Sequence, residues 1–142
     1  MYSRILVAIE HSPADATIVE HIAKLAALTG GELLLVHVAD GWAARNFDAL
    51  KLRESEEMKA DRAYLERLAA DLATRGLRVT TELAKGDPAR EIVRVADAWK
   101  ADLIAMSTHG HRFVGDLIHG TTVDHVRHVT PLPVLLLKAQ PA

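Results

Sequence analysis

The sequence predicts an α/β fold built on a single doubly wound sheet of five parallel strands, with helices on both faces. Short apolar runs of strand length alternate with longer helical patterns along the whole chain. The run at Arg4–Ile9 is almost continuously apolar, as expected of a strand buried on both faces. The 142 residues contain no linker, internal repeat or low-complexity segment, so residues 1–142 are predicted to form one domain.

The first helix follows directly after this strand. Ser12–Asp15 predicts its start, with Ser12 as the N-cap, proline at the first helical position and an acid three residues after the cap. Gly30 or Gly31 is predicted to end the helix, and Glu32–Val38 is the second strand. The apolar stripe of the helix is predicted at Ile18, Ile22, Leu25 and Leu28.

The alternation continues through the second half of the chain. A long charged helix is predicted from about Ala49 to Arg75, with Gly76 as its end, and Asp87-Pro88 begins the next helix. The remaining predicted elements are the strands Arg78–Ala84, Leu103–Met106 and Val134–Leu137 and the last helix, Thr121–Val129. The order βαβαβαβαβ predicts a parallel sheet covered on both faces.

Composition excludes several classes of protein. The formal net charge is −2, so no broad basic surface predicts binding to nucleic acid or to an anionic membrane. The absence of cysteine excludes disulfides and thiolate metal sites. No apolar run approaches the roughly 18 residues of a membrane span, and the apolar run near the N-terminus is too short for a signal peptide. We therefore expect a cytoplasmic protein.

The expected topology predicts where a ligand binds. Right-handed crossovers and the strand order 3-2-1-4-5 make the first and fourth strands neighbours at the point where the winding reverses. In such sheets the ligand lies outside the carboxyl ends of the strands at this point. The loops containing Ile9–Ser12 and Ser107–Gly110 are therefore expected to converge.

Two glycines after the fourth strand provide the strongest functional signal. Nine residues separate Gly110 from Gly120, and Thr121-Thr122 follows directly. Glycine lets backbone N–H groups approach a ligand closely, and a helix N-terminus with added hydroxyls favours an anion. One glycine would be explained by a turn, but both at this spacing, with Thr121, predict a phosphate cradle. Arg112 is either a cation that neutralises this phosphate or an exposed residue.

Three segments resemble the universal stress protein family, and the resemblance covers essentially the whole chain. Ile5–Ser12 is similar to the family's strand ending in an acid followed by serine, and Leu35–Val38 is similar to the end of its second strand. The most specific segment is Ser107–Thr121, in which Ser-x-x-Gly, nine residues and Gly-Thr resembles the family's Gly-x-x-Gly, nine residues, Gly-Ser/Thr. Pro133–Leu137 completes the pattern. Members with this pattern bind ATP.

The resemblance implies an adenine-nucleotide α-hydrolase-like fold, usually dimeric, with ATP as ligand and Mg²⁺ as a possible companion. By position, the family's adenine and ribose contacts fall on Ala8, Ile9, Glu10, Val38, Met106 and Ser107. Its phosphate contacts fall on His109, Gly110, Gly120, Thr121, Thr122 and Val123. The chain departs from the family at Ser107, where glycine is usual, at Glu10, where aspartate is commoner, and at Ala8, where proline is frequent. The phosphate half of the site therefore matches the family better than the adenosine half.

Enzyme motifs are mostly missing. The sequence contains neither a Gly-x-x-x-x-Gly-Lys-Ser/Thr loop nor a Gly-x-Gly-x-x-Gly after the first strand. His109-Gly110-His111 is one residue shorter than the His-x-Gly-His of adenylyl-transferring enzymes of a related fold, and it follows the fourth strand instead of the first. We therefore expect at most slow ATP hydrolysis. The histidines between 109 and 128 lack a clear ligand spacing with a carboxylate, so no metal site is predicted.

The predicted function is that of an ATP-binding stress-response protein. It would act as a nucleotide-dependent switch towards an unknown protein partner, because ATP would order the loop Ala39–Asp48 and the turn at Gly120. A nucleotide-free dimeric interaction module and a weak ATP-hydrolysing or nucleotidyl enzyme remain as alternatives. A homodimer is expected through the last strand, because Val134–Leu137 would lie at the edge of the sheet without inward charges or a central proline.

Overall fold

The five strands form one parallel sheet in the order β3-β2-β1-β4-β5, which confirms the predicted fold class and strand order. The computed structural model describes residues 1–39, 51–109 and 120–140, with backbone alone at 51–55. The strands are β1 (Arg4–Ala8), β2 (Glu32–Ala39), β3 (Val79–Lys85), β4 (Leu103–Thr108) and β5 (Val134–Lys138). The helices are α1 (Asp15–Thr29), α2 (Lys51–Thr74), α3 (Pro88–Trp99) and α4 (Gly120–Val129).

Each face of the sheet has its own hydrophobic core, because side chains alternate between the faces along every strand. On one face, Leu6 and Ala8 of β1 belong to a cluster with buried side chains of α3 and α4, which we call the α3/α4 core. On the other face, Ile5 and Val7 belong to a cluster with side chains of α1 and α2, the α1/α2 core. Ile9, the first residue after β1, belongs to the α1/α2 core.

The start of α1 differs from the prediction. The helix begins at Asp15 with Ala14 as N-cap, so the assignment of Ser12 as N-cap is wrong. The Ser12 hydroxyl accepts from the backbone N–H of Ala14 at 3.2 Å and closes a turn before the helix. Asp15, the acid predicted three residues after the cap, does contact the backbone of Ser12: its carboxylate accepts from the Ser12 N–H at 3.2 Å. A local side-chain hydrogen bond thus competes with the first helical turn.

The apolar stripe of α1 also differs from the prediction. Ile18 and Ile22 are buried, but Leu28 is 86 % exposed. The inward face continues through Ala26, which is 1 % exposed, and Leu28 lies two residues beyond it, about 200° further around the helix. The predicted end of the helix is confirmed, because Gly30 adopts the left-handed conformation, with φ 73°, and donates to the Ala26 carbonyl at 2.8 Å.

The fourth strand is two residues longer than predicted. β4 continues to Thr108 because β5 pairs with it from Ile104 onwards, with Ser107 opposite Leu137 and Thr108 opposite Lys138. Ser107 therefore lies within a strand and not in the loop where the sequence analysis placed it. The start of α3 agrees with the prediction, since the Asp87 carboxylate accepts from the Arg90 N–H at 2.9 Å.

Candidate functional site

The winding of the sheet reverses between β1 and β4. β1 pairs with β2 on one side and with β4 on the other, and all of these strands are parallel. Their carboxyl ends therefore meet at one edge of the sheet, where ligands bind in folds of this kind. The loop after β1 and the residue after β4 are adjacent there, as predicted from the strand order.

The apolar residues predicted to contact adenosine or phosphate are core residues. Ala8, Val38, Met106 and Val123 are members of the α3/α4 core, each at most 7 % exposed. Ile9 lies on the opposite face, in the α1/α2 core. Its N–H donates to the Val36 carbonyl at 2.7 Å, so the first residue after β1 is still bound to β2.

The remaining predicted residues lie in three places. Ser107 is 1 % exposed, and its hydroxyl has no hydrogen-bond partner among the residues that the structure describes. Gly120 is the first residue of α4 and Thr121 is exposed, while Thr122 is buried. Gly110 and Arg112 lie outside the described residues, as does most of the predicted loop Ala39–Asp48. Of the phosphate cradle, the structure therefore describes the half at the N-terminus of α4.

Glu10 and His109 form a buried pair that joins the ends of β1 and β4. The Nε2 atom of His109 lies 2.6 Å and 2.7 Å from the two carboxylate oxygens of Glu10. The side chain of Glu10 is 2 % exposed and that of His109 is 6 % exposed. Hydrogen bonds that involve a carboxylate are short and strong when they are shielded from water. Both residues were predicted to contact the ligand, but Glu10 was assigned to its adenosine half and His109 to its phosphate half.

Asp15 organises the loop between β1 and α1, which comprises residues 9–14. One carboxylate oxygen accepts from the Glu10 N–H at 2.8 Å, and the other accepts from the N–H groups of His11 at 2.9 Å and Ser12 at 3.2 Å. The Tyr64 hydroxyl donates to the same carboxylate at 2.7 Å. Burial and this hydrogen bond to Asp15 raise the pKa of the Tyr64 hydroxyl. The backbone that presents Glu10 is thus fixed by a buried carboxylate from α1.

A second group of polar side chains lies on the α1/α2 face and was missed by the sequence analysis. Asp61 of α2 lies between His11, whose Nδ1 is 2.6 Å from Oδ1, and His37, whose Nε2 is 3.5 Å from Oδ2. Burial opposes the ionisation of Asp61, but the two histidines outweigh it and lower the pKa of its carboxyl group. No periodic pattern in the sequence indicates this cluster, because its members come from three separate segments.

His125 and His128 are exposed on α4, and no group of three or more His, Asp or Glu side chains in the described part of the chain is arranged to hold a metal ion. None of the helices within residues 1–39, 51–109 and 120–140 combines the length and apolarity needed to cross a bilayer.

Residues 1–138 match the model of the universal stress protein family. The chain belongs to this family. Universal stress protein MJ0577 of Methanocaldococcus jannaschii is 24 % identical over 97 % of this chain and 96 % of its own length. A universal stress protein of Thermus aquaticus, named for its position 3′ of a QAH/OAS sulfhydrylase, is 34 % identical over 77 % of this chain and 79 % of its own.

Solved structures of universal stress proteins share the fold. The structure of MJ0577 superposes with a TM-score of 0.82, at 23 % identity, and covers 100 % of this chain and 99 % of that one. A universal stress protein from Archaeoglobus fulgidus in complex with dAMP has a TM-score of 0.72, at 23 % identity, over 96 % and 98 % of the two chains. A universal stress protein in complex with cAMP has a TM-score of 0.69, at 17 % identity, over 98 % of each chain.

Proposed function

We propose that this universal stress protein is a cytoplasmic regulatory protein that binds an adenine nucleotide, with ATP as its ligand, between the ends of β1 and β4. The observation that carries the proposal is the buried carboxylate of Glu10 at the reversal of the sheet. Structures of the same fold have been solved with dAMP and with cAMP. Both ligands are adenine nucleotides, and this supports adenine as the base of the proposed ligand.

Glu10 has the chemistry needed to hold a ribose. An ionised carboxylate only accepts hydrogen bonds, and ribose hydroxyls can donate them. The Glu10 oxygens lie 2.6 Å and 2.7 Å from Nε2 of His109, and one of them accepts from the Ser12 hydroxyl at 3.5 Å. We propose that ribose hydroxyls donate to Glu10 in place of such contacts. Because the side chain is 2 % exposed, we propose that the nucleotide enters by opening the contact between the ends of β1 and β4, and that this opening couples the ligand to the surface of the protein.

The N-terminus of α4 is the proposed position of the phosphates. α4 begins at Gly120 and is followed by an exposed threonine at position 121. The first N–H groups of a helix have no partner within the helix, and its dipole favours an anion there. The missing Cβ of Gly120 would let a phosphate oxygen approach the backbone.

The test of this function is the identity of the bound molecule. Mass spectrometry of the solution released by denaturing the purified protein is expected to reveal an adenine nucleotide. Calorimetry on the emptied protein is expected to give a higher affinity for ATP than for GTP. Equal affinities would contradict the base preference, and the lack of any nucleotide in both experiments would contradict the function.

A nucleotide-free dimeric interaction module is the second candidate. It is favoured by Ser107, which stands where the family pattern has glycine and is buried within β4. A side chain there restricts close approach of a ligand to the backbone. The absence of binding together with a stable dimer would favour this candidate. Turnover of labelled ATP with Mg²⁺ tests the third alternative, a weak enzyme, for which we expect at most slow hydrolysis.

A further inference from the structure

A network of polar side chains connects α2 to the loop after β1 and lies on the face opposite to the α3/α4 core. Its members are His11 in the loop, Asp15 at the start of α1, His37 in β2, and Asp61 and Tyr64 in α2. The network comes from four different parts of the chain, and it contacts the Glu10–His109 pair where Asp15 accepts from the Glu10 N–H at 2.8 Å. The proposed nucleotide function assigns it no role.

His37 is the buried centre of this network, with 3 % of its side chain exposed. Its Nδ1 atom lies 2.8 Å from the Ile9 carbonyl oxygen, and its Nε2 atom lies 3.5 Å from a carboxylate oxygen of Asp61. The Ile9 carbonyl oxygen can only accept hydrogen bonds, and the Asp61 oxygen likewise only accepts when Asp61 is ionised. A neutral imidazole has one N–H, whereas the imidazolium has two. Only the protonated form of His37 therefore satisfies both neighbours.

Asp61 transmits this state to the loop after β1. Its other oxygen lies 2.6 Å from Nδ1 of His11, whose ring stacks on Tyr64 with 4.1 Å between the centroids. The Tyr64 hydroxyl in turn donates to Asp15, which accepts from the backbone of the loop. His11 has a φ of 63°, a left-handed conformation that a residue with a Cβ rarely adopts. Contacts from α1 and α2 therefore hold the loop in a conformation that it would not favour alone.

We propose that His37, Asp61 and His11 form a proton-operated latch that fixes α2 to β2 and to the loop after β1. With His37 protonated, the carboxylate of Asp61 is held between two imidazoles. When His37 loses its second proton, one of its two neighbours loses a donor, and the attachment of α2 weakens. The latch gives the protein a response to pH that is independent of any ligand.

The groups around His37 determine the pH range of the latch. Burial disfavours the charged imidazolium, but the hydrogen bonds to Asp61 and to the Ile9 carbonyl, with the charges of Asp61 and Asp15, raise the pKa of His37 above its ordinary 6.5. The ring of His11 meets that of His37 edge-on at 6.2 Å, so a charge on His11 would oppose the one on His37. On β3, the residue beside His37 is the apolar Leu83.

The direction of the response follows from these pKa shifts. The pKa of His37 is higher in the folded than in the unfolded chain. Its contribution to the free energy of unfolding is therefore complete below pH 6.5 and is lost as the pH rises through the pKa of the folded state. The pKa of Asp61 is lowered in the folded chain from its ordinary 3.8. Its contribution to the free energy of unfolding is therefore present above pH 3.8 and is lost as the pH falls through the pKa of the folded state. The latch is thus strongest between these limits and loosens on the alkaline side.

An NMR titration of the imidazole signals tests the latch directly. We expect the midpoint of His37 to lie above the ordinary histidine value of 6.5. Asp61→Asn is expected to lower the midpoint of His37, because the substitution removes a carboxylate that stabilises the imidazolium. A His37 midpoint at or below 6.5, or one that Asp61→Asn does not lower, would overturn the proposal.

A double-mutant cycle separates a latch from a merely structural contact. His37→Gln, Asp61→Asn and the double variant are unfolded in urea at about pH 6 and about pH 8.5, with His21→Gln as the matched control. The coupling between the two residues is expected to favour folding about tenfold more at the lower pH, because the carboxylate stabilises the imidazolium form of His37. Equal coupling at the two pH values would overturn the proposal. If His37→Gln does not fold, the titration of wild type and Asp61→Asn decides.

Discussion

The imidazole of His109 and the carboxylate of Glu10 are in direct contact, 2.6 Å and 2.7 Å from Nε2 to the two oxygens, although the residues stand 99 positions apart in the chain. Both side chains are buried. The contact joins the two strands between which the winding of the sheet reverses. Loss of one member of such a pair leaves the other in a poorly solvated place, which costs more than the pair itself contributes.

Glu10→Gln is therefore expected to lower the free energy of unfolding by about 1–3 kcal/mol, because an amide replaces the ionised acceptor of His109. Urea denaturation at neutral pH measures the effect. Glu66→Gln is the control, since Glu66 is exposed on α2, and we expect a change within about 0.5 kcal/mol. If both variants unfold at the same urea concentration, the pair does not contribute as we describe.

Asp15→Ala is expected to destabilise the protein more than Asp87→Ala does. Asp15 is buried and accepts from three backbone N–H groups and the Tyr64 hydroxyl, which would all lose their partner. We expect a loss of about 2–4 kcal/mol. Asp87 is an exposed N-cap that accepts one N–H, worth about 1 kcal/mol. Thermal unfolding of the two variants gives the comparison, and equal losses would contradict this role of Asp15.

Gly120→Val is expected to reduce the affinity for ATP at least roughly tenfold while the fold is retained. A branched side chain at the first position of α4 would block approach to the N–H groups at the helix N-terminus. Calorimetry measures the affinity, and circular dichroism checks the fold. His128→Val places the same side chain at an exposed position near the other end of α4 and should bind ATP like the wild type. Unchanged affinity in folded Gly120→Val would remove the phosphate assignment.

We propose that the protein is a homodimer joined through β5, and we expect Leu136→Lys to make it monomeric. β5 is an edge strand of the sheet, and its apolar residues 134–137 are only partly buried by the rest of the chain. An open edge of this kind pairs readily with a second copy about a twofold axis. Sedimentation velocity at micromolar concentration measures the assembly. Leu28→Lys, on the exposed side of α1, is the control and should remain dimeric. A monomeric wild type would end this proposal.

The sequence alone sufficed to predict the fold class, the strand order and the convergence of the segments that follow β1 and β4. Buried parallel strands are continuous apolar runs, and helix ends are marked by local chemistry such as Gly30 and Asp87, so short segments contain the needed information. The sequence prediction was wrong at two boundaries of secondary structure. Ser12 closes a turn and does not cap α1, and β4 extends to Thr108 because β5 supplies partners that β4 cannot specify by itself.

Tertiary structure alone decided which polar side chains meet. His109 contacts Glu10, and Asp61 lies between His11 and His37, because separate strands and a helix come together at one edge of the sheet. A charged residue on a helix has the same local pattern whether it faces water or a buried histidine. The protonation of His37 and the support of the loop after β1 therefore depend on distances between elements, which the order of residues along the chain does not encode locally.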